Sequence, residues 1–157
     1  MMLPSSEALA KWLAIVRIYT GIFWLIHGIP KWTSGSAQFM GFMPSSIGKM
    51  TAESTGPYHT FLATVVAPNA VLFSNLIRAG EVLVGIALVL GILTRFGGAG
   101  GMFLALNYIL AKGALTAPDT YAGLDAAAFV LSLICLVLPS SAWALDGVTR
   151  RGRRRRT

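Results

Sequence analysis

The chain has 157 residues, of which 55% are hydrophobic and 12% are charged, and its mean hydropathy is +0.67. Soluble domains average about 25% charged residues, so this composition excludes an ordinary soluble domain and indicates a membrane protein with room for one domain. The formal net charge is +7, and six arginines after Val148 account for all but +1 of it.

Four apolar stretches reach or approach the length that crosses a bilayer, which is roughly 20 residues at 1.5 Å rise each. In chain order they cover about 9–29, 70–93, 96–111 and 121–138, and the third is short and rich in glycine. We therefore predict an all-α membrane protein, a four-helix transmembrane bundle. It would form one domain over 1–149, followed by a basic tail over 150–157.

The placement of basic residues predicts how the bundle is oriented, because short cytoplasmic loops carry an excess of lysine and arginine. With four spans, both termini lie on the same side as Lys11, Arg95 and the terminal arginines, whereas the other side has only three lysines. Both termini are therefore predicted to be cytoplasmic. The long connection over 30–69 is then an outward-facing loop.

The arginine-rich tail could bind nucleic acid or anionic lipid. A basic cluster directly cytoplasmic of a span gains roughly 1 kcal/mol per residue from a charged leaflet, which favours membrane lipid over nucleic acid as the partner. The predicted lipid-binding residues are Arg150, Arg151, Arg153, Arg154, Arg155 and Arg156.

The long connection contains glycine, proline and serine between positions 35 and 48, which predicts short turns. Phe61, Leu62, Val65 and Val66 recur at helical spacing before Pro68 and predict about two turns of amphipathic helix. We interpret the connection as a lid over the outer end of the bundle. A surface that recruits a substrate is the alternative, since long loops are more often functional than idle.

Glu81 lies within the uncharged apolar run 79–94, and a charge at hydrocarbon depth is expensive unless it is paired or solvated. Counting from span entries near Trp12 and Ala70 gives depths for Arg17 and Glu81 that differ by only roughly 6 Å in a core about 30 Å thick. We therefore predict a buried Arg17–Glu81 ion pair. Such a pair could equally fix helix register without any chemistry.

The same counting places further polar groups in the outer half of the bundle, where they predict a polar pocket that opens outward beneath the lid. Cys135 is the only cysteine and His27 is the only histidine in a span, so a thiol–disulfide relay within the chain and two-histidine haem ligation are excluded. No metal site is expected. A redox cofactor would be held by a partner or would be a diffusible lipid-soluble molecule, with none bound covalently.

Gly97 and Gly101 stand four residues apart in the third span, a spacing that lets a neighbouring helix approach closely. We predict that this face packs within the bundle; a dimer formed through this face is the alternative.

Two motifs resemble those of DoxX/DoxD-like membrane proteins. The first runs from Arg17-Ile-Tyr-Thr-Gly21 to His27-Gly28-Ile-Pro-Lys31, and the second from Glu81-Val-Leu-Val-Gly85 to Leu90-Gly91-Ile-Leu-Thr94-Arg95. The resemblance implies a small four-helix membrane subunit of the bacterial cytoplasmic membrane, in a family named after a subunit of a thiosulfate:quinone oxidoreductase. It also marks Arg17, His27, Lys31, Glu81 and Arg95 as the family's positions in this chain.

With this resemblance, the leading hypothesis is an accessory subunit of a quinone-linked redox complex, with other membrane subunits as partners. A quinone would need an apolar slot, from Trp24 with Tyr19 or Tyr108, a donor and a proton-exchanging group. The predicted ligand-binding residues are His27, Arg78, Glu81, Trp24 and Asn107. The alternative is a structural or assembly subunit that docks on a larger membrane protein. A small transporter is the least favoured, since no internal repeat is visible.

Overall fold

The structure is a computed structural model that describes residues 5–33, 35–113 and 123–145, and these parts are helical without any strand. This confirms the all-α fold class for the described residues. Helices α1, α4, α5 and α6 form a bundle in which each packs against two neighbours, in the circular order α1, α4, α5, α6. The helices are α1 (Ser6–Gly28), α2 (Ser36–Glu53), α3 (Gly56–Phe61), α4 (Ala70–Leu90), α5 (Thr94–Ala111) and α6 (Leu124–Val137).

The four helices of the bundle lie where the four spans are predicted, and their ends differ from the predicted ends by at most three residues. Within the described residues, two helical segments are long and apolar enough to cross a membrane, Ser6–Lys31 and Gly56–Leu90. Helix α6 is also apolar but shorter. Large apolar side chains on the outside of the bundle are exposed, as on Leu83, Phe96 and Phe103.

The connection between α1 and α4 is more ordered than its sequence suggests. The predicted series of short turns is wrong, because residues 36–53 form one helix, α2, with Pro44 inside it. Met43 and Ile47 lie four residues apart and bury one face of α2 against Leu62 and Val66. This burial outweighs the low helix propensity of proline and glycine.

The short helix predicted before Pro68 is confirmed. Helix α3 continues through a wider helical turn, Leu62–Val66, in which Leu62 and Val66 are buried. Together, α2 and α3 pack on Phe73 and Ile77 near the start of α4. We call residues 36–69 the lid, because they cover the end of the bundle where α1 ends and α4 begins.

The glycine-rich start of α5 packs inside the bundle, as its spacing predicts. A methyl group on Gly97 would lie 3.1 Å from a side-chain carbon of Leu88 in α4. One on Gly101 would lie 2.6 Å from the Ser132 hydroxyl oxygen of α6 and 2.8 Å from the indole nitrogen of Trp24. Both glycines therefore lie where helices of the same chain pack closely.

Candidate functional site

The candidate site is a buried carboxylate that accepts hydrogen bonds from two side chains. Glu81 is 1% exposed. The Lys31 ammonium donates to its Oε2 at 2.6 Å and to its Oε1 at 2.7 Å, and the Tyr108 hydroxyl donates to Oε1 at 2.6 Å. Both carboxylate oxygens are thus hydrogen-bonded. We call Lys31, Glu81 and Tyr108 the polar cluster.

Three helices bring the polar cluster together. Lys31 ends the tight turn Ile29–Lys31 that continues α1, Glu81 lies in the middle of α4, and Tyr108 lies in the last turn of α5. The absence of a side chain on Gly28 lets α1 approach, since a methyl group there would stand 3.0 Å from the Glu81 Cβ. The pairing of one cation with one anion keeps the cluster neutral, which is how a charge is tolerated in an apolar interior.

The polar cluster lies between two apolar regions. Tyr108 packs against the core of the bundle, which includes Trp24 and Leu88. On the other side, the Lys31 nitrogen stands 5.2 Å from the centre of the Phe39 ring in α2. The Lys31 side chain is 22% exposed, whereas that of Glu81 is 2% exposed. Access to the carboxylate is therefore from the lysine side, beneath the lid.

The predicted Arg17–Glu81 ion pair is wrong. Glu81 lies beside Gly28, whereas the Arg17 guanidinium lies beside Gly91. Positions 17 and 28 are 11 residues apart on α1, which is about 16 Å of helix. The depth estimate failed because it counted the depth of Glu81 from Ala70, as if Ala70 were level with the end of α1. In the structure, Glu81 is level with Gly28, and α4 begins 11 residues earlier, roughly 16 Å beyond that level.

Arg17 instead holds the segment after α6. It is 1% exposed, and its Nη2 donates to the carbonyl oxygens of Trp143 at 2.9 Å and Ala142 at 3.2 Å. Gly91 ends α4 with φ +66°, a conformation that favours glycine, and a methyl group there would collide with Arg17 Nη1 at 1.8 Å. Arg17 thus joins the turn after α4 to the segment after α6.

Trp24 and His27 do not join Glu81. Trp24 is 2% exposed in the core of the bundle, where its Nε1 donates to the Ser132 hydroxyl at 3.3 Å. His27 lies exposed on the outside of α1, with its Nδ1 2.8 Å from the Phe23 carbonyl oxygen and its ring 4.3 Å from the Phe23 ring. Neither residue makes a hydrogen bond to the polar cluster.

Arg78 and Asn107 bind the lid to the bundle. Arg78 donates to the Lys31 carbonyl oxygen and to the Ser36 hydroxyl, both at 3.1 Å, and its guanidinium stacks 3.8 Å from the centre of the Trp32 ring. The Tyr58 hydroxyl of α3 donates to Asn107 Oδ1 at 3.1 Å. Of the five predicted ligand residues, therefore, only Glu81 belongs to the polar cluster.

Lys31 and Tyr108 are not among the five predicted ligand-binding residues, although Tyr108 is one of the side chains considered for the apolar slot, and the sequence contains a signal for each. Lys31 ends the first family-like motif. Tyr108 is a hydroxyl donor inside the third apolar stretch, and Glu81 in the second stretch is a carboxylate that needs a partner. Outside the polar cluster, Asp125 pairs with Lys112. The predicted lipid-binding arginines of the tail lie outside the described residues.

A comparison with family models identifies the family of the chain. A family model described as "TQO small subunit DoxD" matches residues 11–153, nearly the whole chain. The comparisons with curated proteins and with solved structures found no match. With two helical segments apolar enough to cross a membrane, the protein is a membrane protein and belongs to the DoxD family.

Proposed function

We propose that the protein is an accessory subunit of a quinone-linked redox complex in the bacterial cytoplasmic membrane, and that the polar cluster binds the quinone. The family description as a small subunit supports membrane protein partners. The observation that carries the proposal is the buried carboxylate with an ammonium and a phenol bound to it. An ionisable group within a membrane-spanning helix is a functional-site candidate by default.

The polar cluster has the groups that quinone chemistry needs. Reduction of a quinone to a quinol takes two electrons and two protons, which end on the two carbonyl oxygens. The Tyr108 hydroxyl has one hydrogen, which it donates to Glu81, so it donates to a quinone oxygen only by exchanging the carboxylate for it; Lys31, with three N–H groups, is the second donor. Glu81 takes up or releases one of the two protons. Phe39, beside the Lys31 nitrogen, offers an apolar face to the ring. The electrons come from the redox group of a partner subunit.

Tyr108→Phe tests this assignment, because it removes one donor and leaves the Lys31–Glu81 pair in place. We expect the quinone retained by the purified protein to fall about tenfold, the effect of losing one hydrogen bond to a charged or strongly polar group. Quinone is measured by extraction and chromatography of protein purified in mild detergent. Tyr19→Phe, on the exposed outer face of α1, is the matched control and should retain quinone. Unchanged quinone content in a well-folded Tyr108→Phe protein would contradict the site.

A structural or assembly role is the second candidate. The observation in its favour is that Lys31 and Tyr108 already satisfy both oxygens of Glu81, as in a group that locks helices. In that case, Tyr108→Phe lowers thermal stability and recovery of the partner subunits together, and no quinone is lost. The two candidates therefore differ in which quantity the same substitution changes.

The proposed topology has four spans, with both termini in the cytoplasm. Reporters fused after Thr157 and in the turn between α4 and α5 should read cytoplasmic, because lysine and arginine concentrate on that side. A reporter inserted near Ser54, in the lid, should read external. A C-terminal reporter that reads external would overturn this topology.

A further inference from the structure

A second site lies at the end of the bundle opposite the polar cluster. A cavity of about 360 Å³ opens between the first turn of α5 and the segment after α6. Its polar lining includes Thr94 and Arg95 on one side and Ser140 and Ser141 on the other. This volume falls within the usual range of ligand pockets.

The wall formed by the segment after α6 is held in place by its own contacts. The Ser140 hydroxyl donates to the Ala10 carbonyl oxygen at 2.6 Å and accepts from the Ala142 N–H at 3.1 Å. Arg17 donates to the carbonyl oxygens of Ala142 and Trp143 and so holds these two residues in place. The position of Ser141 at the cavity is therefore set by the hydrogen bonds of the residues on either side of it.

The lining of the cavity is rich in hydrogen-bond donors and positive charge. Helix α5 begins here, and the Leu93 side chain that precedes it cannot cap it, so the first N–H groups of the helix are left for a ligand. Thr94 is 5% exposed and its hydroxyl makes no hydrogen bond with the described residues. Arg95 is exposed and forms no ion pair within them. These donors and the positive charge of Arg95 suit an anion.

The surroundings of the cavity are apolar. Leu93, Phe96 and Pro139 complete the lining, and Leu93 and Phe96 are 59% and 74% exposed. Leu138 and Trp143, in the same segment as Ser140, are also more than half exposed. A free inorganic anion would gain nothing from these side chains, whereas a lipid would bury them.

We propose that this cavity binds the phosphate group of a membrane phospholipid, with the acyl chains along Leu93 and Phe96. Arg95, the Thr94 hydroxyl and the first N–H groups of α5 bind the phosphate oxygens. Ser141 contacts the polar headgroup. The site is separate from the polar cluster, so it stands whether or not a quinone binds there.

The test is native mass spectrometry of the full chain in detergent, titrated with phosphatidylglycerol. Arg95→Gln and Thr94→Val should each weaken lipid binding by about tenfold, as expected when a hydrogen bond to a charged group is lost. Arg95→Lys and Thr94→Ser keep the charge and the hydroxyl and should retain most of the binding. Lys49→Gln is the matched control, since it removes one exposed positive charge from α2 at the other end of the bundle.

Three outcomes would overturn the proposal. Equal binding in wild type, Arg95→Gln and Thr94→Val would show that the lipid lies elsewhere. An equal loss in Lys49→Gln would show an effect of net charge alone. The third outcome uses inorganic phosphate as a second probe: if it binds at this site and phosphatidylglycerol fails to displace it, the ligand is a free anion and not a lipid. Circular dichroism melting of each variant confirms that the fold is kept.

Discussion

Lys31→Met should lower the free energy of unfolding by about 3–5 kcal/mol, because it leaves the Glu81 carboxylate buried without its cation. The expected loss is larger than for Glu81→Leu, since the Lys31 side chain is 22% exposed and can be partly solvated, whereas that of Glu81 is 2% exposed. Unfolding in a denaturing detergent titration, followed by circular dichroism, gives the measurement.

The double variant Lys31→Met with Glu81→Leu measures the coupling energy between the two side chains. It removes both charges, so its loss should be much smaller than the sum of the single losses. Lys11→Met is the matched control, because Lys11 pairs with Glu7 on the surface at 2.8 Å and both side chains are more than half exposed. Its expected cost is below about 1 kcal/mol. Additive losses in the cycle would contradict the coupling of Lys31 with Glu81.

Gly98→Ala should destabilise the bundle by about 1–3 kcal/mol or more, the usual cost of overpacking a tight contact. Helices α5 and α6 touch here through their backbones. The added methyl group would lie 2.6 Å from the Leu136 nitrogen, 2.9 Å from the Leu136 Cα and 2.9 Å from the Ser132 carbonyl oxygen. No flexible side chain can move aside, so the two helices must separate. Thermal unfolding in detergent measures the change.

Gly48→Ala provides the control with the opposite expected sign. Gly48 lies in α2, and a methyl group there would meet nothing within 4 Å. Because alanine favours a helix over glycine by up to about 1 kcal/mol, the substitution should be neutral or stabilising. If Gly98→Ala were as stable as Gly48→Ala, the close approach of α5 and α6 would be incorrect.

The positions of the bundle helices could be predicted from the sequence. Long apolar stretches form helices wherever they are buried or meet lipid, and this depends on residues close together in the chain. The cost of a buried charge likewise marked Glu81 as a residue in need of a partner. Composition alone placed the chain among membrane proteins.

The lid and the partner of Glu81 were decided by tertiary structure. Local propensity predicted turns over 35–48, yet Met43 and Ile47 gain more by burial on the turn Leu62–Val66 and on α4 than glycine and proline cost. Whether Arg17 or Lys31 pairs with Glu81 depends on the axial offset between α1 and α4.

Close packing at Gly21 and Gly85 fixes that axial register. A methyl group on Gly21 would lie 2.9 Å from the Gly85 carbonyl oxygen, and one on Gly85 would lie 3.0 Å from that of Gly21. This contact joins residues far apart in the chain and brings the side chain of Lys31, not that of Arg17, within reach of Glu81. Counting residues along each helix gives distances within that helix but not the offset between two helices, because the offset is set by the shapes of both surfaces.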